Sequence, residues 1–274
     1  MDFLICGSAA AEGWPALFCD CRCCVEAWKR GGKDVRTRTT YQLGDTIRVD
    51  FGPDSYAQML RFQLPFDRLR HLLVTHSHQD HWHPGELYFR RPGFSVVAEE
   101  NILTVHGNAR VGETLLAAID NDLAYFRLDF HEVRPGEWIS LDNGVRALPL
   151  AADHDRSETC VFYLFEVDGK FLLQANDTGW FPDATWAMLR DYSLDVVVLD
   201  STSGSIKDGK HGHMGCNWVV TARDQMLKEG ILKPEHRCIA NHFSHNGGWI
   251  HEELEAYYAP HGIEVGYDGL RIPL

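Results

Sequence analysis

A chain of 274 residues, 45% of them hydrophobic, can bury a sizeable core as one large α/β domain or two smaller ones. No apolar run approaches the roughly 18 residues of a membrane span, and Met1-Asp2-Phe3 lacks the basic start of a signal peptide, so a cytoplasmic protein with no membrane partner is expected. A formal net charge of −13 argues against a nucleic-acid surface and favours a small-molecule substrate.

In chain order, a strand is expected over 2–6, then a small-residue loop from Gly7 to Pro15. That loop follows a strand as a phosphate cradle would, but no Gly-Lys-Ser/Thr comes after it, and packing is the simpler account. Four of the eight cysteines fall between Cys19 and Cys24, and in a reducing compartment such clustering points to metal before disulfides. Lys29 to Arg38 reads as a surface connection. Alternation over 46–51 marks a strand ending near Asp50, and 54–62 reads as a helix.

Leu72-Leu73-Val74 is a short apolar run of the kind buried on both faces. Chemistry begins where it ends, at Thr75-His76-Ser77-His78-Gln79-Asp80-His81. In extended backbone His76 and His78 point to one side and can grip one ion, while Asp80 and His81, on a turn before Pro84, are placed to hold a second. Three imidazoles and a carboxylate suit zinc, manganese or iron.

Further on, 94–98 reads as a strand, 102–119 as a helix and 124–150 as strands with Asn143-Gly144 as a hairpin turn. Strands over 160–166 and 170–174 flank the turn Asp168-Gly169. The remainder alternates: helix 183–191, strand 194–199, helix 215–229, strand 237–240, helix 250–258, strand 263–265. Sheets covered by helices follow from that order.

Possible ligands recur where strand-like runs end. Asp50 follows Ile47-Arg48-Val49, His76 follows Leu72-Leu73-Val74, and His154 comes soon after Leu148-Pro149-Leu150. Asp177 follows Phe171-Leu172-Leu173, Asp200 follows Val198-Leu199, and His242 follows Ile239-Ala240. The carboxyl ends of strands are where α/β proteins place ligands, and six such coincidences argue for one shared site. Asp50 and Asp200 are candidates either to orient metal-bound imidazoles or to make core hydrogen bonds.

The chain resembles the metallo-β-lactamase fold superfamily, whose His-x-His-x-Asp-His signature stands at His76 to His81. Within it, the cyclic phosphodiesterases of phosphonate utilisation are similar over Cys19-Asp20-Cys21-Arg22-Cys23-Cys24, the metal motif, Asn241-His242-Phe243-Ser244-His245 and the ending Glu264 to Gly269. The resemblance implies an αβ/βα sandwich over 1–274 as a single domain. It implies two catalytic divalent ions (zinc or manganese, or iron), one on His76, His78 and His154, the other on Asp80, His81 and His242, with Asp177 bridging. One structural zinc would sit on Cys19, Cys21, Cys24 and His245. His213 would contact phosphate or act as acid, with His211 as its alternative, and His213 and Asp80 are the candidate catalytic residues.

Two divalent ions against two aspartates leave the centre positive inside an acidic protein, which draws an anionic diester. Two such ions can hold a hydroxide and polarise a phosphoryl oxygen at once, so hydrolysis of small phosphodiesters, cyclic ones included, is the expected activity. The alternatives are a thioester, lactone or β-lactam hydrolase, an RNA-processing nuclease, and a non-catalytic cofactor-biosynthesis protein. The oligomeric state stays open, a homodimer included.

Overall fold

The structure, a computed structural model, describes residues 1–206 and 209–274. One sheet holds β1 (Asp2–Gly7), β2 (Thr40–Leu43), β3 (Ile47–Val49), β4 (His71–Leu73), β5 (Leu103–Gly107) and β6 (Leu128–Glu132). The other holds β7 (Ile139–Ser140), β8 (Arg146–Ala151), β9 (Val161–Val167), β10 (Lys170–Ala175), β11 (Leu194–Asp200), β12 (Leu232–Asn241) and β13 (Glu264–Val265). The last strand, β14 (Arg271–Pro273), returns to the first sheet beside β1. The spatial orders are β14-β1-β2-β3-β4-β5-β6 and β13-β12-β11-β10-β9-β8-β7. In both sheets antiparallel strands give way to a parallel run, β3 to β6 and β10 to β13.

Side-chain alternation explains the layering. On β11, Val196 and Val198 join the core between the sheets, whereas Val197 and Leu199 join the core under the helices. On β9, Val161, Tyr163 and Phe165 face inward to the first sheet and Phe162 and Leu164 outward. The outer face of the second sheet is covered by α1 (Arg22–Arg30), α4 (Asp183–Leu189), α5 (Cys216–Lys228) and α6 (His251–Tyr258), through Ala27, Trp186, Val219, Met226, Leu254 and Tyr258. On the first sheet, α2 (Ser55–Phe62) lies beside β1, and α3 (Ala109–Ala118) packs Val111 and Leu115 against Leu72, Val74 and Val105. The result is two sheets face to face with helices outside, the αβ/βα sandwich that was expected. No helix among the described residues is long and apolar enough to cross a membrane.

Several expectations need correction. The segment 94–98 is not a strand: Phe94 and Val96 are exposed and the segment joins neither sheet. Residues 102–119 are not one helix but β5 followed by α3, because Asn108 caps a new helix, its side chain accepting from Val111 N–H at 3.0 Å. The stretch taken for a surface connection, 29–38, begins within α1, whose buried Cys23, Cys24 and Ala27 give it an apolar side. Strands β2 and β14 were not foreseen. Asn143 and Gly144 do form the β7–β8 turn, with φ of 59° and 74°.

Candidate metal centre

The strand ends converge. Asp50, Asp177 and His242 come just past β3, β10 and β12, and all three take positive φ, 61°, 51° and 62°. Left-handed backbone at three non-glycine residues turns each side chain sharply off its strand, and such strain concentrates at functional sites. His76 and His78 lie beyond the end of β4, in a loop rather than in extended strand, yet their ring centroids are 4.4 Å apart. His154 joins them at 4.8 and 5.0 Å, and His81 faces His242 at 5.5 Å.

Each of the five imidazoles has its outer nitrogen engaged. His81 Nδ1 donates to Asp50 Oδ2 at 2.7 Å, and His76 Nδ1 to the hydroxyl of Thr75, which in turn donates to Asp50. His242 Nδ1 reaches the Thr202 hydroxyl at 2.7 Å, backed by Asp200. His78 Nε2 is 3.0 Å from Asp155 Oδ2, and His154 Nδ1 is 3.2 Å from the Gly212 carbonyl. Engaging the outer nitrogen fixes the tautomer and leaves the inner one as a lone pair.

Those inner nitrogens face one another and carboxylates. The Nε2 atoms of His76, His81 and His242 are buried without a hydrogen-bond partner. His78 Nδ1 lies 3.3 Å from His154 Nε2. His81 Nε2 lies 3.0 Å from Asp80 Oδ2 and 2.9 Å from Asp177 Oδ2, and His242 Nε2 lies 3.0 Å from the same Asp177 oxygen. The other oxygen of Asp177 is 3.7 Å from His154 Nε2. Lone pairs at such distances repel unless positive charge stands among them. Burial opposes charge on His81, yet Asp177, Asp80 and Asp50 outweigh it and lift its pKa well above the ordinary value. His76 is driven the other way, chiefly by burial and then by His81, and stays neutral. The donor set of five imidazoles and two carboxylates therefore fits divalent cations, and Asp177 offers one oxygen to each trio.

His213 adjoins this cluster, its ring 4.9 Å from His154 and 5.7 Å from His242, with Nδ1 3.1 Å from Asp200 Oδ2. Burial would lower its pKa, but the Asp200 carboxylate prevails and raises it to about 9. His211 is exposed and held by Asp153 at 2.9 Å. Asp200 also accepts from the backbone N–H groups of Asp177, Thr202 and Met214, so it orients site residues from three segments.

The cysteine cluster forms a second site. One ligand atom from each of Cys19, Cys21, Cys24 and His245 lies within 4.8 Å of the others, with Nδ1 of His245 3.6 Å from Cys19 Sγ and 3.4 Å from Cys21 Sγ. All eight cysteines are free thiols. Burial works against ionising Cys21, but hydrogen bonds from the Cys24 backbone and His245 bring it down to about 7, as suits a thiolate ligand. Three sulfurs and one imidazole fit closed tetrahedral zinc. The loop from Gly7 packs here: Phe243 N–H donates to Ser8 O and Ala10 N–H to Phe243 O.

Sequence reasoning did not find Thr75, Thr202, Asp153, Asp155 or Glu158. Glu158 accepts from both the backbone N–H and the hydroxyl of Ser77, between His76 and His78. The run Asp153-His154-Asp155 carried a readable signal, since acidic residues flanking a ligand histidine are placed to orient others.

A model of the β-lactamase superfamily domain matches residues 45–236. No curated protein sequence matches the chain. Among solved structures, a diphosphatase of the PhnP family is 23% identical with a TM-score of 0.77, covering 100% of this chain and 97% of that one. Zinc-bound PqqB from Methylobacterium extorquens is 19% identical with a TM-score of 0.77, covering 100% of both chains. Human tRNase Z, short form, is 15% identical with a TM-score of 0.69, covering 100% and 99%. At these identities the likeness is one of fold.

Proposed function

This chain belongs to the β-lactamase superfamily, and from that premise we propose that it hydrolyses small phosphodiesters, cyclic ones included, using two divalent metal ions. The observation that carries this is Asp177, which turns Oδ2 to His81 and His242 and Oδ1 to His154. A carboxylate shared in this way by two imidazole groups is built to bridge two cations. In this reading His76, His78 and His154 hold one ion, Asp80, His81 and His242 the other, and residues 1–274 act as one domain.

When bound, a pair of divalent ions supplies a nucleophile from water at neutral pH and neutralises charge on the phosphoryl oxygens. The chain's own residues set the rest. Asp50, Thr75, Asp155 and Thr202 fix the ligand tautomers. Asp200 keeps His213 protonated and aimed at the cluster, so that Nε2 can give a proton to the departing alkoxide, a poor leaving group without it. Names among the similar folds describe phosphorus chemistry, a diphosphatase and a tRNase. The acidic balance of this chain favours a small diester over RNA.

The test is a substrate panel on the metal-loaded chain: a bis-aryl phosphate, an aryl monophosphate, a thioester and a lactone. Turnover should be highest with the diester. Activity confined to the thioester or lactone would reject the proposal, and no turnover of any of them would favour a non-catalytic role.

A further inference from the structure

Three more histidines line up on adjacent strands away from the centre. His71 on β4, His106 on β5 and His131 on β6 all face away from the helix-covered core, because Leu72, Val105 and Leu128 occupy that side. His106 and His131 are direct partners in the parallel register. Ring centroids stand 5.3 Å apart for His71–His106 and 5.4 Å for His106–His131. Two imidazoles bound to one ion at about 2.0–2.1 Å place their rings at roughly this spacing. The His81–His242 pair of the candidate centre stands at 5.5 Å.

The hydrogen bonding is directional. Asp142, at the β7–β8 turn, accepts from His71 Nε2 at 3.3 Å, so His71 Nδ1 is a lone pair. His106 Nε2 lies 3.1 Å from it and donates to it. That leaves His106 Nδ1 as a bare acceptor, buried and without a partner, on a residue only 4% exposed. A buried polar atom left unpaired destabilises the fold unless something occupies it. The two nitrogens of an imidazole point well apart, so Nδ1 is turned away from His71, and β6, on the other side of β5 from β4, carries the His131 ring at 5.4 Å. Burial, then His71 and His131, push His106 down to about 3, and a neutral imidazole is the form that ligates.

We propose that His106 Nδ1 and His131 form a further site for an imidazole-preferring divalent ion such as zinc, nickel or copper, with His71 and Asp142 orienting His106. Asp142, His71 and His106 then repeat the arrangement of the main centre, where each histidine's outer nitrogen is engaged and the inner nitrogens of His76, His81 and His242 have no hydrogen-bond partner. His131 is exposed on the edge strand, so water completes the coordination and the ion exchanges freely. The site shares no residue with the ligands around Asp177 or with the cysteine cluster, and stands whether or not the chain is a phosphodiesterase.

The test uses the chain with its other metals in place, dialysed against nickel, with bound nickel counted per chain and its spectrum recorded. The parent chain should bind one more nickel than His131→Ala, an exposed substitution that spares the fold, and His131→Cys should restore the ion with a sulfur-to-nickel charge-transfer band. Asp142→Asn should weaken nickel binding about tenfold or more. Equal nickel content in the parent and His131→Ala would overturn the proposal.

Discussion

Oδ2 of Asp50 lies 2.7 Å from Nδ1 of His81, and both side chains are almost wholly enclosed. The same carboxylate receives the backbone N–H and hydroxyl of Thr75, whose hydroxyl accepts from His76. One buried residue therefore sets the tautomer of a ligand in each trio. Asp50→Asn keeps the shape but loses one acceptor oxygen. Metal affinity, measured by chelator competition, should fall by roughly ten- to a hundredfold, with the circular dichroism spectrum unchanged. Affinity within twofold of the parent would mean that Asp50 only fills space.

Gly179 supports the segment carrying His211 and His213. A Cβ there would stand 2.4 Å from Lys210 O, 2.6 Å from His211 Cα and 2.7 Å from Gly212 N. Gly179→Ala must displace that backbone, and a shift near 1 Å at a reacting group can cost on the order of a hundredfold. Diester turnover should drop at least tenfold, and metal affinity by chelator competition should fall with it, because the displaced Gly212 carbonyl holds His154; unchanged turnover would contradict this.

His213→Ala should lower diester turnover by roughly a hundredfold or more, the range for a general acid, without loss of metal. His211→Ala should cost less, since His211 stands out in solvent beside Asp153. Elemental analysis run beside the kinetics separates the roles: metal lost with His213→Ala would make it a ligand.

Acid should weaken the fold through His251. It sits between Arg36 Nη2 at 2.7 Å and Glu255 Oε1 at 2.9 Å. Burial, followed by the Arg36 charge, lowers its pKa to about 4, against roughly 6.5 in the unfolded chain. Between those values the unfolded state binds the proton and the folded state does not. The contribution is thus complete above about pH 6.5 and lost as pH falls toward 4. Urea midpoints from pH 7 to 4.5 should decline more steeply for the parent than for His251→Gln. Parallel slopes would contradict this.

The clustering of His76, His81, Asp177 and His242 was legible because these are rare residue types placed at strand ends. Their orienting partners were not. Thr75 and Thr202 are common residue types, and Asp155 meets His78 across 77 positions of chain, a distance only folding closes. The helix α1 was hidden because Cys24, counted as a ligand, and Cys23, given no role, also serve as apolar residues in its buried side. The strand β5 was absorbed into a helix because Leu103, Val105, Val111 and Leu115 share one core. The break was marked only by Gly107-Asn108, a helix cap in place of a continuation.

If two ions act together on a diester, turnover must follow the number of ions bound. The direct measurement strips the chain of exchangeable metal, counts any zinc retained, as the proposed cysteine site would hold, and then follows bis-aryl phosphate turnover against equivalents of zinc or manganese restored. Turnover should stay near zero without added metal and level off at two ions per chain beyond the retained zinc. Full turnover at a single restored ion, or undiminished turnover in the stripped chain, would contradict the account.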